Sequence, residues 1–145
     1  MDSLAERFVG VWELDPTTLS YEFGRPGRRA TYTIRHIARG LEFSLDGDDA
    51  DGKPMYFVYG GALDGQDRPM PNSPISLCLQ WLDDHTIESA AKKDGRVIDR
   101  WTRTISDDGN SLVIRQHGTR PNGEPFTNTS IYRRLPQLLP DHEAQ

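Results

Sequence analysis

His36, Asp99 and Tyr132 are the residues of this chain best suited to move a proton. A neutral imidazole can accept or donate one near physiological pH, and a carboxylate or phenol can orient it. His36 closes an alternating run in which Ala30, Tyr32, Ile34 and His36 share one face. A histidine on a half-apolar strand is equally an ordinary hydrogen-bonded wall residue, so both readings stand. His85 falls in a turn, His117 at a strand end and His142 in the C-terminal tail. None has the short spacing of a metal site, so no metal is expected. The acidic run Asp46 to Asp51 fails as a calcium loop. With Gly52 at the loop glycine, Gly47 falls where an Asp ligand belongs and Val58 where the bidentate Glu belongs. No Gly-x-Ser-x-Gly elbow occurs, and Gly60-Gly61 is not followed by the Lys of a phosphate loop. No cofactor is expected. Cys78 stands alone in an apolar run, which excludes an intrachain disulfide and predicts a packed thiol.

The elements that must position these groups are short strands. Six Asp-Gly or Asn-Gly pairs punctuate the chain, at Asp46, Asp51, Asp64, Asp94, Asp108 and Asn122. Such dipeptides accept the positive φ of tight hairpins. The runs between them are rich in Thr, Ile, Val and aromatic residues, so the pattern predicts an antiparallel meander. Asp2 or Ser3 can cap a short helix through Phe8. The first strand is expected over Val9 to Leu14, and Pro16 to Gly27 reads as a loop. Further strands are expected over 30–38, 41–45, 53–60, 75–81, 85–92, 96–106, 111–117 and 124–134. Gly61 to Pro74 reads as a second loop. A sheet of this length must curl, and the strand count suits a closed up-and-down barrel holding one small ligand. The expected barrel domain spans 1–135, with a frayed tail over 136–145.

Alternation then assigns an interior. Tyr32, Ile34, His36, Phe43, Leu77, Leu79, Trp81, Trp101 and Ile114 face inward, together with Asp99, Arg103, Gln116, Asn128 and Tyr132. On Met55 to Tyr59 either face could be the inner one. Apolar walls with a few placed polar groups are how ligand sites are built. Tyr32, Phe57, Tyr59, Trp81 and Trp101 are the expected walls, with His36, Arg103 and Tyr132 fixing a polar group.

Composition narrows the partners. The chain has 145 residues, 35% of them hydrophobic, and a net charge of −5. Its mean hydropathy is −0.67. Acidic balance argues against nucleic acid, and Arg25, Arg28 and Arg29 are interleaved with Gly and Pro as in a solvated loop. No stretch is apolar enough to span a membrane. The start lacks the apolar core of a signal peptide, so a cytoplasmic protein is expected.

Two motifs carry a resemblance. Gly10-Val11-Trp12, after a short N-terminal helix, resembles the start of lipocalin-like (calycin) barrels. The resemblance implies that Trp12 closes the barrel floor against an arginine from a late strand, here Arg103 or Arg133. The second is Asp48-Asp49-Ala50-Asp51-Gly52-Lys53-Pro54 with Tyr59, Asp64-Gly65, Thr86-Ile87-Glu88, Lys92-Lys93-Asp94-Gly95, Gly118-Thr119 and Tyr132-Arg133. It is similar to a group of small bacterial lipocalin-like proteins and spans most of the chain.

Three functions fit these residues. The first is binding of a small, largely apolar or aromatic molecule inside the barrel. The second is a cofactor-independent cyclase or isomerase that folds its substrate there, with His36 and Asp99 or Tyr132 as acid and base. The third is a homodimeric interaction module with a filled barrel, meeting its partner through outward residues such as Val58, Val113 or Ile131.

Overall fold

The computed structural model describes residues 3–136. One short helix, α1 (Ser3–Glu6), leads into ten strands. These are β1 (Gly10–Tyr21), β2 (Arg29–Ile37), β3 (Gly40–Asp48), β4 (Pro54–Gly61) and β5 (Asp64–Pro69). They continue as β6 (Ile75–Asp83), β7 (Thr86–Lys93), β8 (Arg96–Ile105), β9 (Ser111–Thr119) and β10 (Pro125–Arg134). The ladder order is β4-β3-β2-β1-β10-β9-β8-β7-β6-β5, antiparallel throughout. This is the expected up-and-down meander. Its curl is measured by side chains: Arg103 on β8 reaches Tyr32 on β2 and Tyr59 on β4.

The barrel is not closed by hydrogen bonds. β4 and β5 follow one another in sequence yet stand at opposite ends of the ladder. The expectation of a closed barrel is corrected at that seam. β5 itself falls inside the stretch expected to be loop. Its sequence, Asp-Gly-Gln-Asp-Arg-Pro, lacks apolar alternation because this edge strand is largely exposed on both faces. β1 also runs past its expected end, through Pro16 to Tyr21. Its pairing with β10 breaks between Asp15 and Ser20, and the proline sits in that irregularity, where no ladder donor is needed. Thr18 Oγ1 bridges the break, donating to the Asp15 carbonyl at 2.6 Å and accepting from Ile131 N at 3.1 Å. Asp46-Gly47 is not a turn but part of β3, paired with Thr31 and Ala30. The true turn is one step on, where Asp49 Oδ1 accepts from Asp51 N and Lys53 N. The expected cap at Asp2 and nearly all of the tail lie outside the described residues.

One end of the barrel is plugged. Phe8, Trp12, Ile34, Leu41, Ile87, Ile105 and Leu112 are all buried there. Trp12 Nε1 donates to the Phe8 carbonyl at 3.0 Å, and Phe8 meets Trp81 edge-on at 5.8 Å. The arginine over Trp12 is Arg134, 4.2 Å from the ring centre. This corrects the expectation of Arg103 or Arg133. Trp12 pairs directly with Arg134, so both face inward, and Arg133 faces out toward Asp15 and Ser111. Arg134 also donates to the carbonyls of Val9, Arg7 and Gly109 at 2.8, 2.5 and 2.8 Å.

Candidate functional site

Above the plug lies a buried cation. Arg103 is 1% exposed. Its Nε donates to Tyr32 Oη at 2.7 Å, and its Nη2 donates to Ser89 Oγ at 2.9 Å and to Tyr59 Oη. The two phenol oxygens are themselves 3.0 Å apart. The guanidinium carbon stands 4.6 Å from the Phe43 ring centre and 5.5 Å from that of Tyr59. These are aromatic faces that favour a cation. Among the described residues no carboxylate forms an ion pair with Arg103, and its Nη1 has no hydrogen-bond partner. Burial pushes the Tyr32 phenol well above its ordinary pKa, so Tyr32 is neutral and does not balance the charge. A guanidinium stays protonated in any protein environment. Among the described residues the site therefore holds a positive charge with no carboxylate paired to it.

The register explains how these groups meet. On β7 and β8, Ile87 pairs with Arg103 and Ser89 with Trp101, and on β3 and β4 Phe43 pairs with Tyr59. Met55, Phe57 and Tyr59 therefore face inward, and Tyr56 and Val58 face out. Exposure rises away from the plug: Trp101, Ile114 and Gln116 are half-buried, and Phe57 is 42% exposed although it faces the interior. Burial is thus greatest at the plugged end and falls toward the other.

At the open rim a polar ladder crosses the sheet. Asp99 Oδ2 accepts from Gln116 Nε2 at 3.0 Å, and Gln116 Oε1 accepts from Asn128 Nδ2 at 3.3 Å. Asn128 Oδ1 accepts from the backbone N of Glu22 and of Phe23, and its Nδ2 donates to the Phe23 carbonyl. The segment after β1 is thereby tied onto β10, where Phe23 lies 5.1 Å from Phe126. A recess of about 290 Å³ opens there beside Asp99, Gly118 and Phe126. Burial raises the Asp99 pKa above the ordinary Asp value. A second hollow, about 170 Å³, fills the unpaired seam and is lined by Tyr59, Gly60, Gly61, Arg68, Leu77 and Leu79.

The structure brings together Tyr32, Tyr59 and Arg103 of the expected binding residues, with Tyr132 at 5.8 Å from the Tyr32 ring. Trp101 and Phe57 line the open half, whereas Trp81 belongs to the plug. It does not assemble His36, Asp99 and Tyr132. His36 lies near the closed end, where Nε2 pairs with Glu6 and Nδ1 is buried without a partner. Asp99 lies at the opposite rim. Strand alternation gives a shared face but not a shared height, which is why the sequence reading joined them. Ser89 was not foreseen, because Glu88-Ser89-Ala90-Ala91 carries no apolar alternation. Of the three outward residues expected at a dimer interface, Val58 is exposed, while Val113 and Ile131 pair with each other and are half-buried. No helix among the described residues is long and apolar enough to cross a membrane.

No protein-family model matches the chain, and no curated protein does. Solved structures do. The chain is similar to the wild-type fluorescent protein UnaG, with a TM-score of 0.62 and 17% identity over 90% of this chain and 99% of that one. A point mutant of UnaG gives 0.61 and 17% over 91% and 99%. The chain is also similar to lobster apocrustacyanin A1, with a TM-score of 0.47 and 10% identity over 96% of this chain and 67% of that one. The fold is a lipocalin-like, calycin-type barrel, as the resemblance in the sequence implies.

Proposed function

We propose that this barrel binds a small molecule, largely apolar or aromatic, through an acidic group seated on Arg103. The observation that carries this reading is the buried guanidinium with one nitrogen unpartnered and no carboxylate paired to it among the described residues. A buried charge is costly unless paired, and natural folds keep such a cost where function uses it. A carboxylate on Nη1 would supply both the missing hydrogen bond and the missing charge. Phe43, Phe57, Tyr59 and Trp101 give the apolar body its walls.

The test is tryptophan fluorescence during titration with aromatic carboxylic acids and their primary amides. Saturable quenching by the acids, with the amides at least about tenfold weaker, is the expected result. Equal binding of acid and amide would remove the charge from the account.

A further inference from the structure

The inner face of β8 carries more than one anchor. Asp99, Trp101 and Arg103 all point into the barrel, on alternate residues of one strand. The step from Arg103 to Asp99 is about 13 Å along the strand. The two ends have opposite charge, and neither has an ion-pair partner among the described residues. Among the described residues Asp99 accepts only from Gln116 Nε2 and, at 3.2 Å, from the backbone N of Arg100. A carboxylate has about four acceptor positions, so Asp99 keeps capacity for a further donor. Gly118 stands opposite it with the Phe126 ring packed against it, and a Cβ there would also lie 3.2 Å from Asp99 Oδ1. The rim recess at this point is lined by Asp99 together with Arg100, His117 and Thr127, which face outward.

We propose that the preferred ligand is bipolar: an acidic group at one end, a cationic or hydrogen-bond-donating group at the other, and a flat apolar body between. The acid meets Arg103, the body lies along Trp101, and the donor meets Asp99. This inference rests on the Arg103 reading above and adds a second, independent contact. If Asp99 served only to hold Gln116 and Asn128 in place, its loss would affect all ligands alike. A ligand contact makes the loss selective.

Calorimetry on the intact chain separates these cases with three probes. They are biphenyl carboxylic acid, the same acid with an aminomethyl group on the far ring, and the same acid with an ethyl group there. The wild type is expected to bind the aminomethyl acid about tenfold more tightly than the ethyl acid. In Asp99→Asn that advantage falls to less than about threefold, while the ethyl acid binds as before. Equal affinity of the two acids for the wild type overturns the inference and needs no variant. So does an advantage that survives Asp99→Asn. In both cases binding of the plain acid leaves the Arg103 anchor standing. Failure of all three acids to bind the wild type overturns the anchor, and the bipolar ligand with it.

Discussion

Arg103 donates a hydrogen bond to the Tyr59 hydroxyl although their strands, β8 and β4, never pair. The contact spans the barrel interior and ends at the unpaired seam. It joins a charge to a hydroxyl rather than to a carboxylate, so it adds little to the stability of the fold. Replacing a buried ion pair with apolar residues of similar size is often neutral or stabilising, and Arg103 has no carboxylate partner among the described residues to be left stranded. Tyr32 and Tyr59 would still bond each other at 3.0 Å. Arg103→Met is therefore expected to keep the fold and to change unfolding free energy by less than about 1 kcal/mol, or to raise it. Urea denaturation measures this. A loss of about 3–5 kcal/mol would show that Arg103 is structural.

Arg134 should behave in the opposite way. It caps Trp12 and donates to three backbone carbonyls that no other side chain among the described residues reaches. Arg134→Gln is expected to cost about 2–4 kcal/mol in the same urea experiment. Affinity for aromatic acids should not change, because Arg134 lies at the plugged end. Full stability in this variant would contradict the assignment of the floor.

Asp99 should give stability an unusual pH dependence. Burial raises its pKa above 3.8, so the folded state holds the proton more tightly than the unfolded chain. That contribution is full below the ordinary Asp range and is lost as pH rises through the raised value. Asp64, lowered by its bond to Arg68, and Asp108, lowered by its bond to Ser106, act with the other sign. Their contribution is present above 3.8 and is lost as pH falls through the lowered values. Asp99→Asn removes only the first effect. Its melting temperature relative to wild type should therefore climb from acid toward neutral pH, which thermal melts across that range would record. A constant difference would show that Asp99 is not desolvated.

Several side chains hold the segment after β1, among them Arg120 on the Glu22 carbonyl and Glu22 on Thr127 N, and Asn128 makes the most bonds to its backbone. Asn128 is 5% exposed and makes four hydrogen bonds, three of them to the backbone of Glu22 and Phe23. Asn128→Ala should cost about 1–3 kcal/mol and should free amide exchange at residues 22–28 ahead of the rest of the barrel. Uniform loss of protection across all strands would mean that the segment is not separately held.

Much of this was legible from residue order. Alternation placed Tyr32, Trp101, Arg103 and Tyr132 on the inner face, because a strand's side-chain period is two. Height along the barrel was not legible, since it depends on which residue pairs with which across ten strands. His36 and Asp99 share a face but stand at opposite ends for that reason. Arg133 and Arg134 show the same limit at one residue's distance: a single step reverses the face, and only the Trp12 pairing decides it. β5 was hidden because an exposed edge strand has no apolar rhythm. The missing counter-ion of Arg103 was invisible for a different reason. It is a property of four strands meeting, and no stretch of sequence contains it.

The central claim is that Arg103 holds an acid. Calorimetric titration of biphenyl carboxylic acid into wild type and Arg103→Met tests it most directly. The account predicts one saturable site on the wild type and a loss of affinity of about 30-fold or more on the folded variant. Equal affinity for the two proteins would contradict it.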